Sequence, residues 1–436
     1  MAGILSAIML AEKGMKVHLI ESAGSMGGLL RSYQSPEGFT FDYGTHFLRE
    51  TGNNELDKLL YGGLCWREWQ KLKILKNGNY FYGSLNEKSP FIDSRLLPKE
   101  IYNDGLREFF EIKLGSASFD NLAQQLQELY GSTFYQYIYE PVIKSFFHQN
   151  PNELAPNSHV LAGLSLILIG SAGETRKLKE NQFMNSRIGF HSFEEGVSSL
   201  CNFYPRVGGI GKWIDHLVKR THDAGVEISL NCNLVNAEIN NGRVEEVMLN
   251  GGRTIECEHL IWTVPPAIFL RMLGEKTLGS KPKSIHTHVF HFVADQPPLT
   301  GLYFFACHDP GMSTYRVTLH SNCQPENKEG YIPVTVESLS RTPIDIDAEA
   351  QTVHSELFKM GVFPKGAKLR LINAESLANG FPVPTIELNK QAEADLRKAR
   401  QLSDNVTFVG KGSGKSFFMN DVLLSTFRDI NETVLG

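Results

Sequence analysis

Residues 3 to 21 read Gly3-Ile-Leu-Ser-Ala-Ile-Met-Leu-Ala-Glu-Lys-Gly14-Met-Lys-Val17-His-Leu-Ile20-Glu21. Leu5, Ile8, Met9 and Ala11 recur at helical spacing, and Gly14 ends the helix. Residues 17–20 then read as a short buried strand with Glu21 at its end. A helix feeding a strand that closes on an acid is the second half of a dinucleotide-binding βαβ unit, where the acid accepts hydrogen bonds from the ribose hydroxyls of an adenosine. The bland alternative is an ordinary helix–strand pair with a surface glutamate. If Gly3 is the third glycine of Gly-x-Gly-x-x-Gly, then Met1 and Ala2 are the two residues before it. The natural protein is then expected to carry about ten more residues ahead of Met1, a strand of roughly 5–6 residues plus the loop. That strand would be central to the sheet, and its loop would aim helix amides at a pyrophosphate.

Outward from Glu21, two further patterns follow in order. Gly27-Gly28-Leu29-Leu30-Arg31-Ser32 offers a backbone that a ligand can approach closely and a guanidinium suited to phosphate. Pro36-Glu37-Gly38-Phe39-Thr40-Phe41-Asp42-Tyr43-Gly44-Thr45-His46 comes next. Much later, Tyr204-Pro205-Arg206-Val207-Gly208-Gly209-Ile210-Gly211 leads into an amphipathic helix carrying Trp213, Ile214, Leu217 and Val218. Strands are expected over residues 226–230, 233–239 and 243–249, with turns at Asn240-Asn241-Gly242 and Asn250-Gly251-Gly252. His259-Leu260-Ile261-Trp262-Thr263-Val264-Pro265-Pro266 closes the block.

The C-terminal end supplies a third piece. Residues 405–410 read as a buried strand ending in Gly410, and Phe418-Met419-Asn420-Asp421 precedes a helix with Val422, Leu423, Leu424, Phe427 and Ile430, capped by Asp421 or Asn420. Gly410-Lys411-Gly412-Ser413-Gly414-Lys415-Ser416 invites a phosphate-loop reading, but that pattern needs glycine where Val409 stands, and 20 residues after Ser416 cannot hold an NTPase core.

The bulk numbers exclude several classes. With 436 residues the chain is too long for one ordinary core. A net charge of −5 provides no basic stripe, so nucleic acid is not expected as a partner. The longest apolar run, residues 160–172, is interrupted by Gly163 and Ser165 and is too short to span a bilayer. It reads instead as a core or substrate-domain helix, and the protein reads as cytoplasmic. Six cysteines (65, 201, 232, 257, 307 and 323) show no zinc spacing, and the histidines none for any metal. The aromatic stretch Phe134, Tyr135, Tyr137, Tyr139, Phe146 and Phe147 reads as a helix face in a core, with a substrate wall as the rival.

Taken in order, the acid-ended strand, Gly-Gly-x-x-Arg-Ser and Asp-x-Gly-x-His resemble the opening of the FAD-dependent superfamily of amine oxidases, protoporphyrinogen oxidases and UDP-galactopyranose mutases. The eukaryotic type of UDP-galactopyranose mutase is the nearest resemblance, through Leu97-Pro98-Lys99-Glu100, Leu302-Tyr303-Phe304, Tyr315-Arg316-Val317-Thr318, Ser321-Asn322 and Gly380-Phe381-Pro382-Val383-Pro384-Thr385. The resemblance implies an α/β fold: a Rossmann-like FAD domain, its first strand truncated, from residues 1–95, 200–270 and 396–436, with an inserted α+β substrate domain from residues 96–199 and 271–395. It implies that Gly3, Glu21, Gly27, Gly28, Arg31, Val235, Gly410, Asp421 and Val422 hold the cofactor, Val235 by its backbone against the adenine. His46 falls beside the isoalloxazine, with a satisfied structural histidine as the alternative. Arg316 becomes the clamp for a diphosphate or acidic substrate, with Tyr303 and Lys411 as helpers.

The small-molecule substrate so implied is a nucleotide sugar, turned over on reduced flavin with NAD(P)H as external reductant. The chain departs from that family at three places, carrying Phe381, Lys411 and Phe417 where it has Tyr, Arg and Tyr. Each lost phenol removes a hydrogen bond to a charged group worth about 1.5–3 kcal/mol. Two alternatives therefore stay open: an oxidase of the amine-oxidase or protoporphyrinogen-oxidase type, and a flavin-free binding protein.

Overall fold

The computed structural model describes residues 1–113, 118–277, 282–324, 332–414 and 418–436. Lys415, Ser416 and Phe417 lie outside them.

The opening helix forms over Ala2–Glu12 and is buried from Ile4 to Leu10. It packs against Gly211–Asp223 and Met419–Ile430, so that Ile4, Leu5 and Ile8 share one core with Trp213, Leu217, Leu423 and Phe427. Both chain ends and the middle therefore build a single unit. Strand His18–Ile20 runs parallel to Glu227–Ser229, and Leu260–Trp262 parallel to Val406–Phe408. Among the described residues these are separate two-stranded sheets. The helix starts between them: a Cβ on Gly3 would lie 3.3 Å from the Leu19 side chain and 3.8 Å from that of Thr263. Leu234–Asn240, Arg243–Leu249 and Thr254–Glu256 form an antiparallel meander. Its first turn has Asn241 and Gly242 both at positive φ, the backbone twist that a tight two-residue hairpin requires.

The larger sheet has seven strands in the order Leu369–Pro382, Ser284–Ala294, Ile332–Ser340, Thr314–Leu319, Phe304–Cys307, Asn77–Phe81 and Ser84–Asn86. Alternation divides its faces. Phe290, Phe292, Val317, Leu319, Val334 and Val336 pack with Val353 and Leu357 of helix Ile346–Lys359. The other face presents Arg316, Thr318, Thr335, Glu337 and His291, and receives the chain around residues 39–46. Asn77–Phe81 and Ser84–Asn86, placed by sequence with the cofactor domain, hydrogen-bond into this sheet instead. The physical reason is edge protection, since Asn77–Phe81 covers the free side of Phe304–Cys307.

Residues 160–172 are not a helix. They form a 3-10 turn, Ser158–Ala162, and a buried strand, Ile167–Leu168, paired with Ile92–Asp93. Gly163 at φ +75° breaks the run between them. The aromatic stretch is core except for Tyr137, which faces outward: Phe134, Tyr139 and Phe147 are fully buried. Among the described residues no helix is long and apolar enough to cross a membrane, and the six cysteines are unpaired.

Gly105, inside helix Lys99–Glu111, shows how packing overrides propensity. Gly105→Ala should gain about 1 kcal/mol of helix propensity. The new Cβ, however, would sit 2.4 Å from the ring of Phe134, itself fully buried. Overpacking of this kind costs about 1–3 kcal/mol, so the variant should be less stable. Its denaturant midpoint relative to wild type measures the sign.

Candidate active site

Of the predicted cofactor residues, Gly3, Gly410 and Val422 lie at the opening helix, and Gly27 packs on a helix beside it. Gly410 (φ +58°) leaves room for no side chain: its Cβ would lie 2.6 Å from the Ala2 Cβ and 3.5 Å from Val422. Gly27 (φ +99°) is as tightly placed, 2.8 Å from Ile214. Glu21 accepts from the Ala23 N–H at 2.9 Å and the Ser22 hydroxyl at 3.2 Å, which shapes the turn after its strand. Lys411 follows Gly410, and its charge, like that of Glu21, acts on the Met1 amine at the start of the opening helix. Val235 falls in the bulge between the Leu234 and Asn236 pairings, and its side chain is exposed. Arg31 lies 4.8 Å over the Tyr43 ring, and its buried Nε has no partner among the described residues.

One expected cap is corrected. Helix Met419–Ile430 begins after Phe418, with no side-chain cap. Asn420 reaches away to the carbonyls of Glu50 and Arg49, and Asp421 is exposed within the first turn. The helix-start amides are thus left uncapped by side chains, while Val422 packs inward.

The loop at residues 42–46 is where the two halves meet. Asp42, almost fully buried, accepts from Ser32 Oγ at 2.7 Å, the Ile210 N–H at 2.8 Å and the Tyr204 hydroxyl at 2.5 Å. Tyr204 contacts His320 Nδ1 at 3.1 Å, His320 Nε2 contacts Thr335 Oγ1 at 2.9 Å, and Thr335 contacts His291 Nδ1 at 3.1 Å. Because the Tyr204 proton goes to Asp42, each donor in this row points toward the carboxylate, and the bare His291 Nε2 ends it. Burial raises the Asp42 pKa to about 6, against the opposing hydrogen bonds from Tyr204, Ser32 and Ile210. Gly209 is obligatory here, since its Cβ would lie 2.2 Å from Asp42 Oδ1.

Three residues on, Thr45 Oγ1 meets Thr318 Oγ1 at 2.5 Å, and His46 Nε2 lies 3.1 Å from the Tyr43 carbonyl. Burial, and then the charge of Arg316, lower the His46 pKa to about 4 despite Glu337, so the ring is neutral. Arg316 and Glu337 stand directly opposite on adjacent strands, with Nε–Oε1 and Nη2–Oε2 both 2.7 Å. Glu337 raises the Arg316 pKa against the cost of burial. Tyr43 is held above its usual pKa by burial and by the nearby charge of Glu375.

His46 and Arg316, predicted from sequence, are therefore brought together. Tyr303 is not part of the pair. It packs on Phe47 and under Lys76, and it precedes the Phe304–Thr318 pairing, whereas Arg316 pairs with Ala306. Three residues of extended strand, about 10 Å, separate the two positions. Phe381 stacks on Phe146, which meets Tyr315 edge-on. The sequence reading missed Asp42 as a hub, together with Tyr204, His320, Glu337 and Glu375. Asp42 stood in the quoted motif, but Glu337 gave no local signal beyond a charge in an alternating strand.

Comparison with known proteins places this geometry. The profile of the flavin containing amine oxidoreductases matches residues 1–293. A structure of reduced UDP-galactopyranose mutase superposes with a TM-score of 0.75 at 16% identity, covering 100% of this chain and 94% of that one. A putative protoporphyrinogen oxidase from Exiguobacterium sp. 255-15 gives 0.68 at 14% identity, covering 99% and 96%. An oxidoreductase from Methanosarcina mazei gives 0.62 at 14%, covering 99% and 98%. No curated protein matches the chain by sequence.

The buried ionisable groups fix the pH response of the fold. His159, His291, His308 and His320 are almost fully buried with pKa values lowered by burial to about 4, 3, 4 and 4. Each keeps its stability above its unfolded pKa near 6.5 and loses it as pH falls through the folded value, on the order of 1–2 kcal/mol between pH 7 and pH 5. Asp42 acts oppositely, because its raised pKa favours the fold on the acid side, by on the order of 3 kcal/mol in full. Four histidines outweigh one carboxyl. Urea unfolding at pH 7 and pH 5 should show the protein less stable at pH 5, and Asp42→Asn should lose more on acidification than wild type.

Proposed function

The chain belongs to the flavin containing amine oxidoreductase family, and we propose that within it the protein is an FAD-dependent oxidoreductase that oxidises a small organic substrate. Bound FAD supplies the two-electron acceptor. The residues fit such a cofactor: the buried Arg31 Nε has no partner among the described residues and would meet an acceptor there, and Gly27 and Gly410, at positive φ and tightly packed, hold the turns beside the opening helix. In this reading Glu21 and the Val235 bulge hold the adenosine end. The helix start at Gly3, with Gly27, Gly28, Arg31 and Gly410, would hold the diphosphate, and Val422, its helix start and His46 would lie on the flavin side. The substrate then approaches over the polar face of the seven-stranded sheet, built mostly from residues 271–395 with the strands at 77–86.

The observation that carries the oxidative reading is the Arg316–Glu337 pair. A mutase acting on a nucleotide sugar must hold a departing diphosphate, and the cation expected to do so already gives its Nε/Nη2 edge to a carboxylate that neutralises it. Phe381, moreover, stands in an aromatic stack where that chemistry uses a phenol. His46 serves as an orienting group here, since an imidazole with a pKa of about 4 is too weak a base to hold a proton at neutral pH. The nucleotide-sugar reading, on flavin reduced by NAD(P)H, is the rival.

Two measurements test this. Aerobic holoenzyme offered a panel of primary amines and alcohols should release peroxide with at least one, while dithionite-reduced holoenzyme should leave UDP-galactopyranose unchanged. Ring contraction of that sugar under reduction would sink the oxidative reading. Separately, Arg31→Met should weaken FAD binding roughly 10- to 100-fold, read by flavin release on dilution, with the unfolding midpoint of the apoprotein unmoved.

A further inference from the structure

We propose that Glu337 sets the substrate class of this site: it cancels Arg316 so that the polar face admits uncharged or cationic groups and refuses anions. The inference rests on the reading that substrate approaches over this face.

Geometry fixes the pairing. Arg316 and Glu337 are cross-strand neighbours, so the two bonds at 2.7 Å form without either side chain reaching out of its row. The Glu337 side chain is 5% exposed and that of Arg316 26%, so the carboxylate lies beneath and the guanidinium edge faces outward. The loop closes over the carboxylate from behind. A Cβ on Gly44 would lie 2.8 Å from Oε2 and 3.1 Å from Oε1, so the carboxylate packs close to the loop at a position where only glycine leaves room for it. An incoming anion would find the Nε/Nη2 edge of Arg316 already taken, and at the remaining Nη1 side it would meet a cation whose charge the adjacent carboxylate cancels.

On the same loop a second cation has an acid nearby: Arg31 lies 4.8 Å over the Tyr43 ring, and the charge of Glu375 acts on that phenol.

The test uses FAD-loaded enzyme. UDP and inorganic pyrophosphate are titrated into wild type, Glu337→Gln and the double variant Glu337→Gln/Arg316→Met, followed by flavin absorbance and calorimetry. Glutamine keeps the shape beneath Gly44 and removes the charge. Glu337→Gln should bind UDP roughly 10- to 100-fold more tightly than wild type, and the double variant should lose that gain. On wild type alone, benzylamine and benzyl alcohol should perturb the flavin spectrum at concentrations where benzoate does not, which keeps the proposal testable should Glu337→Gln fail to retain flavin. Wild type that binds UDP or benzoate as well as the variant does, or a folded Glu337→Gln without added anion affinity, overturns the proposal. Peroxide release by the same wild-type preparation shows whether the oxidative reading survives that failure.

Discussion

Everything that positions the site passes through the carboxylate of Asp42. It takes a backbone N–H from the start of helix Gly211–Asp223, a hydroxyl from Ser32 beside the glycine turn, and a phenol from Tyr204. Through Tyr204 it connects to His320, Thr335 and His291 on the large sheet. One buried oxygen pair therefore ties the unit made from the chain ends to the sheet made from the inserted segments. A buried carboxyl is costly unless every lone pair is used, and here three donors from two distant parts of the sequence, Ser32 and the segment 204–210, meet it. The same need explains why residue 209 is glycine, because any side chain there would occupy the space of the carboxylate.

The large sheet resolves a related problem on its polar face. One face is ordinary core, filled by Phe290, Phe292, Val334 and Val336. The other must carry chemistry while lying mostly out of water. It does so with groups that are either neutral or matched: His46, His291 and His320 are uncharged because burial disfavours the imidazolium, and Arg316 and Glu337 neutralise each other. Neutral imidazoles serve well in such a place, since each offers one donor and one acceptor and so passes hydrogen-bond polarity along a row without a charge.

Much of the cofactor half was legible in the sequence because its signals are local. The helix and strand at the N-terminus, the hairpin at Asn241-Gly242 and the strand Arg243–Leu249 all lie where spacing and turn residues put them. The readings that failed did so for identifiable reasons. Residues 160–172 are apolar enough for a helix, but a left-handed Gly163 bends them into a turn and a strand. Asn420 looked like a cap, yet its amide is drawn to carbonyls some 370 residues away in sequence. Tyr303 shares a motif with Arg316, but strand register separates them.

Glu337 is the sharpest case of what a linear reading cannot see. Its partner lies 21 residues earlier, across a strand boundary, and nothing in either segment announces that they face each other. Arg316 read alone is an anion clamp; read with Glu337 it is half of a neutral unit. The charge a site presents to its ligand is thus a property of register, set where two strands align, rather than of any motif. A fold that serves both diphosphate-bearing and uncharged substrates can move between them by changing one residue on the strand opposite the arginine, leaving the glycine turns and the Asp42 hub untouched. On the reading proposed above, the residues most visible in the sequence would hold the cofactor, and the residue that would choose the substrate sits in an ordinary alternating strand.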